Sequence, residues 1–476
     1  MAFRAAPTRA REALDLLSEL RLTTLLGAPL ALGELGWMST YIVDALMVGR
    51  LPNSPLAISA SSLGNTIFYA IAFCAIFLLN GLETLAAQAF GRGEPQECTY
   101  LLVQSCWIAV FATPIVMLST LGLVHLLPHF GTPPEIVAET GRYVHALIWS
   151  TAPLMAYMAL RRFLQSINRV VLISVSLVTA SLVNFVGDWA FLFGHLGAHS
   201  MGIAGSGWST CVVRVYMVTL LIAGTALAMR REGYTITRRM LAPDPARLRA
   251  LLRIGWPSGL QSLEELGIST YLSIVCARLG SVLLAAQQVV LDLNAFVYQV
   301  PAGLSYATIV RVGQSAGRNS LPQVKRAANA SLWIGLGLML IASTVFAAFA
   351  KFWAGLYTNS SAVVTAAIPI FIICAFALMG DTLFVLLSSA LTGLGDTRSP
   401  MIVSLIWNWG IGAPLSYLLA FKCGYALRGL WFGRCMASLG TGITLLVLWR
   451  LRLHRESSAA HQPRLNLLMS LESRSK

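Results

Sequence analysis

The sequence predicts an all-α integral membrane protein, with twelve transmembrane helices in two pseudo-symmetric six-helix bundles. Three observations carry that prediction. Of 476 residues, 56% are hydrophobic and only 11% charged. A soluble domain carries about 25% charged residues, so this chain has too few to cover a soluble surface. Twelve apolar runs can be placed, each near the roughly 20 residues that a helix needs to cross a bilayer. Finally, the second half repeats the first. Pro29, Arg50 and Leu51 recur 228 residues later as Pro257, Arg278 and Leu279, and Gln88, Gly91 and Arg92 recur 226 residues later as Gln314, Gly317 and Arg318. A repeat inside a very apolar chain marks a secondary transporter built from two like bundles, with the substrate between them.

In order, the expected spans are 22–47, 56–80, 99–124, 139–163, 171–193 and 202–228, then 252–276, 284–309, 327–350, 365–391, 399–421 and 428–450. This divides the chain into a cytoplasmic N-terminal segment (1–21), an N-terminal six-helix bundle (22–228), a cytoplasmic linker (229–251), a C-terminal six-helix bundle (252–450) and a poorly ordered, cytoplasmic basic tail (451–476). The linker is the only long polar stretch between spans, and it falls where a repeat boundary should. Pro29 and Pro257 sit a third of the way into spans one and seven. There proline removes a helix hydrogen bond and invites a kink, one that either bends during transport or only improves packing.

Orientation follows from the basic residues. Of 34 Lys and Arg, 26 lie in or beside the termini and the even-numbered connections, and six in or beside the odd-numbered ones. That bias puts both termini in the cytoplasm. Six spans per half is an even number, so the halves share one orientation, related by an axis along the membrane normal. The net charge of +14 is thereby a topological signal, and no nucleic acid partner is expected. The long first apolar run is no signal peptide. Eight scattered cysteines form no CxxC pair and read as small buried hydrophobes. His195 and His199 lie in a Gly-bearing loop, where a zinc site is a remote alternative. No metal and no cofactor is expected.

Eight acids fall inside or at the edge of spans: Glu34, Asp44, Glu83, Asp188, Glu264, Glu265, Asp292 and Asp381. A charge at the bilayer centre costs at least about 2.5 kcal/mol, so such groups are protonated, paired or set around a water-filled cavity. Asn184 and Asp188 are four apart and share a helix face. They form a small cation site or a proton-sharing pair, unless Asn184 serves only helix packing. Glu264 and Glu265 point about 100° apart, and one is expected to pair with Arg214 or Arg434. Glu83 reads as an interfacial, solvated acid, and Glu34 and Asp292 have no partner that sequence names. Trp37, Tyr41, Tyr69, Tyr271, Tyr298, Trp407 and Trp409 read singly as a lipid-facing or interfacial belt; together with carboxylates, aromatic faces attract organic cations.

The segments PLALGELGWMSTYIVDALMVGRL (29–51), AAQAFGRGEP (86–95), NFVGDWAFLFG (184–194), GWPSGLQSLEELG (255–267), PAGLSYATIVRVGQSAGR (301–318) and ALTGLGDTRSPM (390–401) resemble the multidrug and toxin extrusion (MATE) family, through nearly all twelve spans. The resemblance implies a V-shaped pair of bundles that exports cationic drugs and toxins in exchange for protons or sodium. It implies that Asp44 in VDxxMVG, Asn184 and Asp188 in NxxxD, and Thr210 beside them couple to the cation in the N-terminal bundle. Glu265 and Asp381 match acids of the seventh and tenth helices, a second cation site. Glu34, Gln287, Asp292, Ala377 and Phe384 depart from the family pattern, and the missing tyrosine oxygen at Ala377 favours protons over sodium.

The expected function is therefore a secondary antiporter of the bacterial inner membrane, not an enzyme. Its coupling ion would be the proton, with sodium as the alternative, and its substrate a small organic cation. Membrane lipid would be its other partner, and a monomer is expected. A lipid-linked oligosaccharide flippase or specific metabolite exporter of the same superfamily is the alternative; the flippase needs a basic cavity, whereas the acids here outnumber Arg214 and Arg434. A membrane enzyme would need a convergent catalytic set; HExxH does not occur, and the GxSxG spacing occurs once, as GQSAG at 313–317, inside the repeated Gln-Gly-Arg segment.

Overall fold

A bilayer offers no water to backbone N–H and C=O groups, so apolar segments that cross it bond internally as helices. The computed structural model describes residues 9–472, with the side chains of 17–456 except that of 232. The first half contains α1 (Arg9–Val48), α2 (Ser54–Leu78) continued by α3 (Asn80–Arg92), α4 (Pro95–Leu126), α5 (Pro134–Leu147) joined through a tight turn to α6 (Thr151–Ser166), α7 (Val170–Phe193) and α8 (Ile203–Glu232). The short α9 (Arg238–Leu241) lies in the connection. The second half contains α10 (Pro245–Ala277), α11 (Ser281–Gly317), α12 (Leu321–Ala348) followed by α13 (Ala350–Tyr357), α14 (Ser361–Gly393), α15 (Arg398–Leu405) and α16 (Ala413–Tyr417) linked by π-helical turns, and α17 (Ala426–Glu472).

Every predicted span falls on one of these rods. Among the described residues, nine helices are long and apolar enough to cross a membrane. The remaining spans fall on α1, α5–α6 and α10, which carry Glu34 and Asp44, Arg161 and Arg162, and Glu264 and Glu265.

Boundaries differ in three places. Helix α1 is already formed at Arg9, because nothing between there and residue 22 breaks a helix and Glu19 is drawn onto Arg311 of α11 (2.7 Å); residues 1–8 lie outside the described residues. Within the segment read as linker, α10 starts at Pro245, where the Asp244 carboxylate caps the helix by accepting from Ala246 N (2.9 Å) and Arg247 N (3.3 Å). Helix α17 continues through the expected tail to Glu472, since no glycine follows Gly442 to end it.

The halves meet at glycines that the repeat exposed. A Cβ on Gly91 would stand 2.2 Å from Gln314 O, and one on Gly317 2.1 Å from Gln88 O. Likewise a Cβ on Gly255 would collide with Leu78 O, and one on Gly27 would stand 2.9 Å from the Leu304 side chain. Each pair is the other's counterpart under the repeat. Small residues let transmembrane backbones touch, so the pseudo-twofold axis runs through these contacts. Gln88 Nε2 donates to Gly393 O (2.9 Å), and Gln314 Nε2 to Ser166 O (2.9 Å). Each glutamine thus caps the end of the opposite half's fourth rod.

Candidate cation-coupling and substrate site

Two cavities flank the line where the halves meet. The first, about 360 Å³, belongs mainly to the N-terminal half. Its walls include Trp37, Tyr41 and Asp44 of α1, Tyr69 and Phe73 of α2, Asn184 of α7, and Thr210 and Arg214 of α8, with Leu266 and Gln299 from the other half. The second, about 490 Å³, lies in the C-terminal half and is lined by Glu265, Asp292, Tyr298, Asp381, Asn408 and Arg434, among others.

Three acid-cluster residues predicted from sequence converge in the first half. Helix α1 packs along α7, which brings Asp44 to the face that carries Asn184 and Asp188. The Asn184 amide donates to Asp44 Oδ1 (2.6 Å) and to Asp188 Oδ2 (2.8 Å). Asp188 and Asn184 are essentially fully buried, while Asp44 reaches the cavity. Among the described residues, Asn184 Oδ1 and Asp188 Oδ1 accept no hydrogen bond. Two carboxylates and an amide therefore hold spare oxygen acceptors at the cavity wall, a set suited to a proton or a small cation.

Thr210 stands on the cavity wall and donates to Ser206 O (3.0 Å). The hydroxyl that touches the cluster's backbone is its neighbour Ser209, which donates to Asn184 O (3.3 Å). Ser209 fits there because Gly187 opposes it, where a Cβ would come within 2.5 Å of its Oγ. Sequence reading missed Ser209; the glycine between Asn184 and Asp188 was the signal available.

Arg214 is held by Ser150 Oγ and by Tyr69 Oη (3.0 Å), with its guanidinium 5.0 Å from the Phe68 ring centroid. It does not pair with Glu264 or Glu265 as one alternative expected. Arg434 pairs with Asp381 instead (3.3 Å), and Ser438 also donates to Asp381 (2.6 Å). Glu264 accepts from Asn408 (2.8 Å) and Glu265 from Gln261 (3.0 Å). The reason is position: Arg434 on α17 faces α14, where Asp381 lies. Glu265 and Asp381 line one cavity without a hydrogen bond between them among the described residues.

Two other acids also depart from expectation. Glu83 is fully buried and pairs with Arg162 (2.7 Å), itself 3% exposed, so it is not an interfacial acid. The packing of α3 against α6 takes both from water. Glu34 binds Arg161, and Tyr306 of the other half covers Arg161 and Arg162 at 5.2 and 4.8 Å. Asp292 accepts from Gln288 (2.8 Å). Several aromatics assigned singly to a lipid belt line the cavities instead: Trp37, Tyr41 and Tyr69 in the first, Tyr298 in the second. Trp407 is turned inward onto Thr444 (2.9 Å). His195 Nδ1 lies 3.0 Å from Trp189 O and its ring stacks on Trp189, in the loop predicted for it.

Paired bundles that hold acid-bearing cavities across their junction are the architecture of a multi-pass secondary transporter. The MatE family model matches residues 29–190 and again 257–418, so the chain belongs to the MatE family. It is 30% identical to a probable multidrug resistance protein NorM of Rhizobium meliloti over 92% of this chain and 95% of that one. A protein of the same description from Synechocystis is 29% identical over 89% and 92%. Among solved structures, a MATE transporter in complex with MaD3S superposes with a TM-score of 0.85 at 19% identity, over 92% of this chain and 97% of that one. A MOP superfamily transporter from Pyrococcus furiosus, described by the reversed polarity of its binding pocket, superposes at 0.83 and 20% identity, over 95% and 100%. The protein is a membrane transporter and not an enzyme.

Proposed function

We propose that this protein is an antiporter that exports organic cations in exchange for protons, with Asp44, Asn184 and Asp188 as the coupling group. The observation that carries this reading is the amide bridging two carboxylates on the wall of an aromatic cavity. An organic cation entering that cavity meets the faces of Trp37, Tyr41 and Tyr69 and the charge of Asp44. A proton on the carboxylate pair removes the charge that holds the cation. Proton and substrate then favour opposite states, and the coupling equals that difference in affinity. Thr210 would shape the cavity wall. Arg214, held against Tyr69, would respond to the charge of Asp44.

Sodium coupling through Glu265 and Asp381 is the weaker reading, because Arg434 already supplies Asp381 with a cation. The cavities carry Asp44, Glu265, Asp292 and Asp381 against Arg214 and Arg434. That acidic excess disfavours a pyrophosphate-bearing flippase substrate. The NorM relatives, described as multidrug resistance proteins, support drug export. The charge bias supports cytoplasmic termini, the bacterial NorM relatives support an inner membrane, and the two family matches support a division of the bundles within 229–251; a monomer is the assembly proposed. Ethidium efflux from proteoliposomes tests the proposal. Efflux driven by a proton gradient alone is the expected result. Efflux driven only by sodium would transfer the role to Glu265 and Asp381, and no efflux under either gradient would point to a specific metabolite.

A further inference from the structure

The two halves differ at one matched place on their outer surfaces. Helix α4 of the first half carries Trp107, and α12 of the second carries Trp333, 226 residues later, in the register of the Gln-Gly-Arg repeat. In the first half this position is covered by the chain itself. Trp107 Nε1 donates to Leu241 O (3.0 Å), and Gln104 Nε2 donates to Met240 O (3.0 Å) and Ala242 O (2.9 Å), so the connection through α9 lies in the groove. In the second half no described residue turns back into the groove, because α17 continues as a helix to Glu472. Trp333 is left 69% exposed beside a cavity of about 610 Å³.

We propose that this α12–α17 groove binds a phospholipid with an anionic headgroup, which fills in the second half the place that α9 fills in the first. The groove is amphipathic in the right direction. Lys325 lies in the first turns of α12, and Arg450 and His454 lie on α17 beside them. Farther along α12 the walls become Trp333 and Leu336. Among the described residues, neither Lys325 nor Arg450 has an acidic partner. Trp449 also lines the groove, is 2% exposed, and its indole N–H meets no acceptor among the described residues. A phosphate supplies acceptors for two cations and an indole, and an acyl chain suits the apolar walls; basic pockets between transmembrane helices at this depth are suited to acidic lipid headgroups.

The test is native mass spectrometry of the full-length, delipidated protein titrated with phosphatidylglycerol or phosphatidylcholine. About thirtyfold tighter binding of phosphatidylglycerol is expected from two cations near the headgroup. Lys325→Ala with Arg450→Ala should bring the two lipids to parity, and Lys325→Arg with Arg450→Lys should keep the preference. No preference in the unmodified protein, or an undiminished preference in the double alanine variant, overturns the proposal. So does equal competition by inorganic phosphate, which would make the site one for a free anion. A second measurement needs no charge change: brominated phosphatidylglycerol should quench tryptophan fluorescence in nanodiscs, and less so in Trp333→Phe. Equal quenching in both would also overturn it.

Discussion

The two halves share a backbone and have exchanged their chemistry. The family model matches them over 29–190 and 257–418, and apart from the Gln-Gly-Arg stretch, where the register slips to 226, the offset is 228. At that offset Asp44, Asn184 and Asp188 correspond to Leu272, Gly412 and Ser416, and all three of these line the second cavity. In the other direction, Glu265 corresponds to Trp37 of the first cavity. Matched helices thus build both cavities, one with an amide-bridged pair of carboxylates and one with an acid beside an arginine. The close glycine contacts survive in both halves because a side chain there would collide with backbone, whereas cavity walls face open space and tolerate change. Duplication therefore leaves the contacts between the halves symmetric and lets the two cavities diverge.

The largest expected effect probes a buried charge that only the first half has. In the register of the Gln-Gly-Arg repeat the counterpart of Glu83 is Ile309, and Ser389 stands four residues before Gly393 as Arg162 does before Ser166. Glu83→Ile leaves Arg162 unpaired and buried, and should cost about 3–5 kcal/mol of stability. Adding Arg162→Ser, which copies the second half, should recover most of it. Unfolding of the purified variants in detergent measures both, and an equal loss in single and double variants would show that the pair is not the cause.

Next comes the functional asymmetry. Asp44→Asn should lower proton-driven efflux by about 100-fold, toward the upper range of coupling energies, with expression unchanged. Asp381→Asn should stay within about fivefold by the same assay. Equal losses in the two variants would mean that the halves couple together and would remove the distinction drawn here.

Symmetry of the pivot is sharpened by Gly91→Ala and Gly317→Ala. Each new methyl meets a backbone oxygen of the opposite half, so each should destabilise by about 1–3 kcal/mol, in similar measure. A large loss at one glycine and none at the other would break the pseudo-twofold reading.

The smallest effect lies in the connection between the halves. The Asp244 carboxyl is held below the usual aspartate range, chiefly by its hydrogen bond to the Arg247 side chain, with help from the Arg247 and Ala246 amides. Its folded value lies below its unfolded one. The cap's contribution is therefore complete above the ordinary aspartate range and is lost as pH falls through the lowered value. Amide protection in the first turn of α10, referenced to the intrinsic exchange rate at each pH, should be higher at about pH 6 than near pH 3; Asp244→Asn should flatten that dependence.

By itself the sequence determined the membrane environment, the number of rods, their twofold repetition and the grouping of Asn184 with Asp188. Those follow from composition and from spacing along one helix, which need no knowledge of neighbours. Asp44 joins that pair only through the resemblance to a family or through the packing of α1 on α7. Partnerships between distant helices were decided by tertiary structure. Glu83 looks interfacial along its own helix and is buried only because α6 brings Arg162 to it. Arg434 could have met any of several acids, and the approach of α17 to α14 selected Asp381. Tryptophans and tyrosines look alike along a span whether they face lipid or a cavity, so Trp37 and Tyr41 could be assigned only once the walls were assembled. Helix periodicity records which face a residue shares, and a charge's partner is recorded only in the packing of one helix against another.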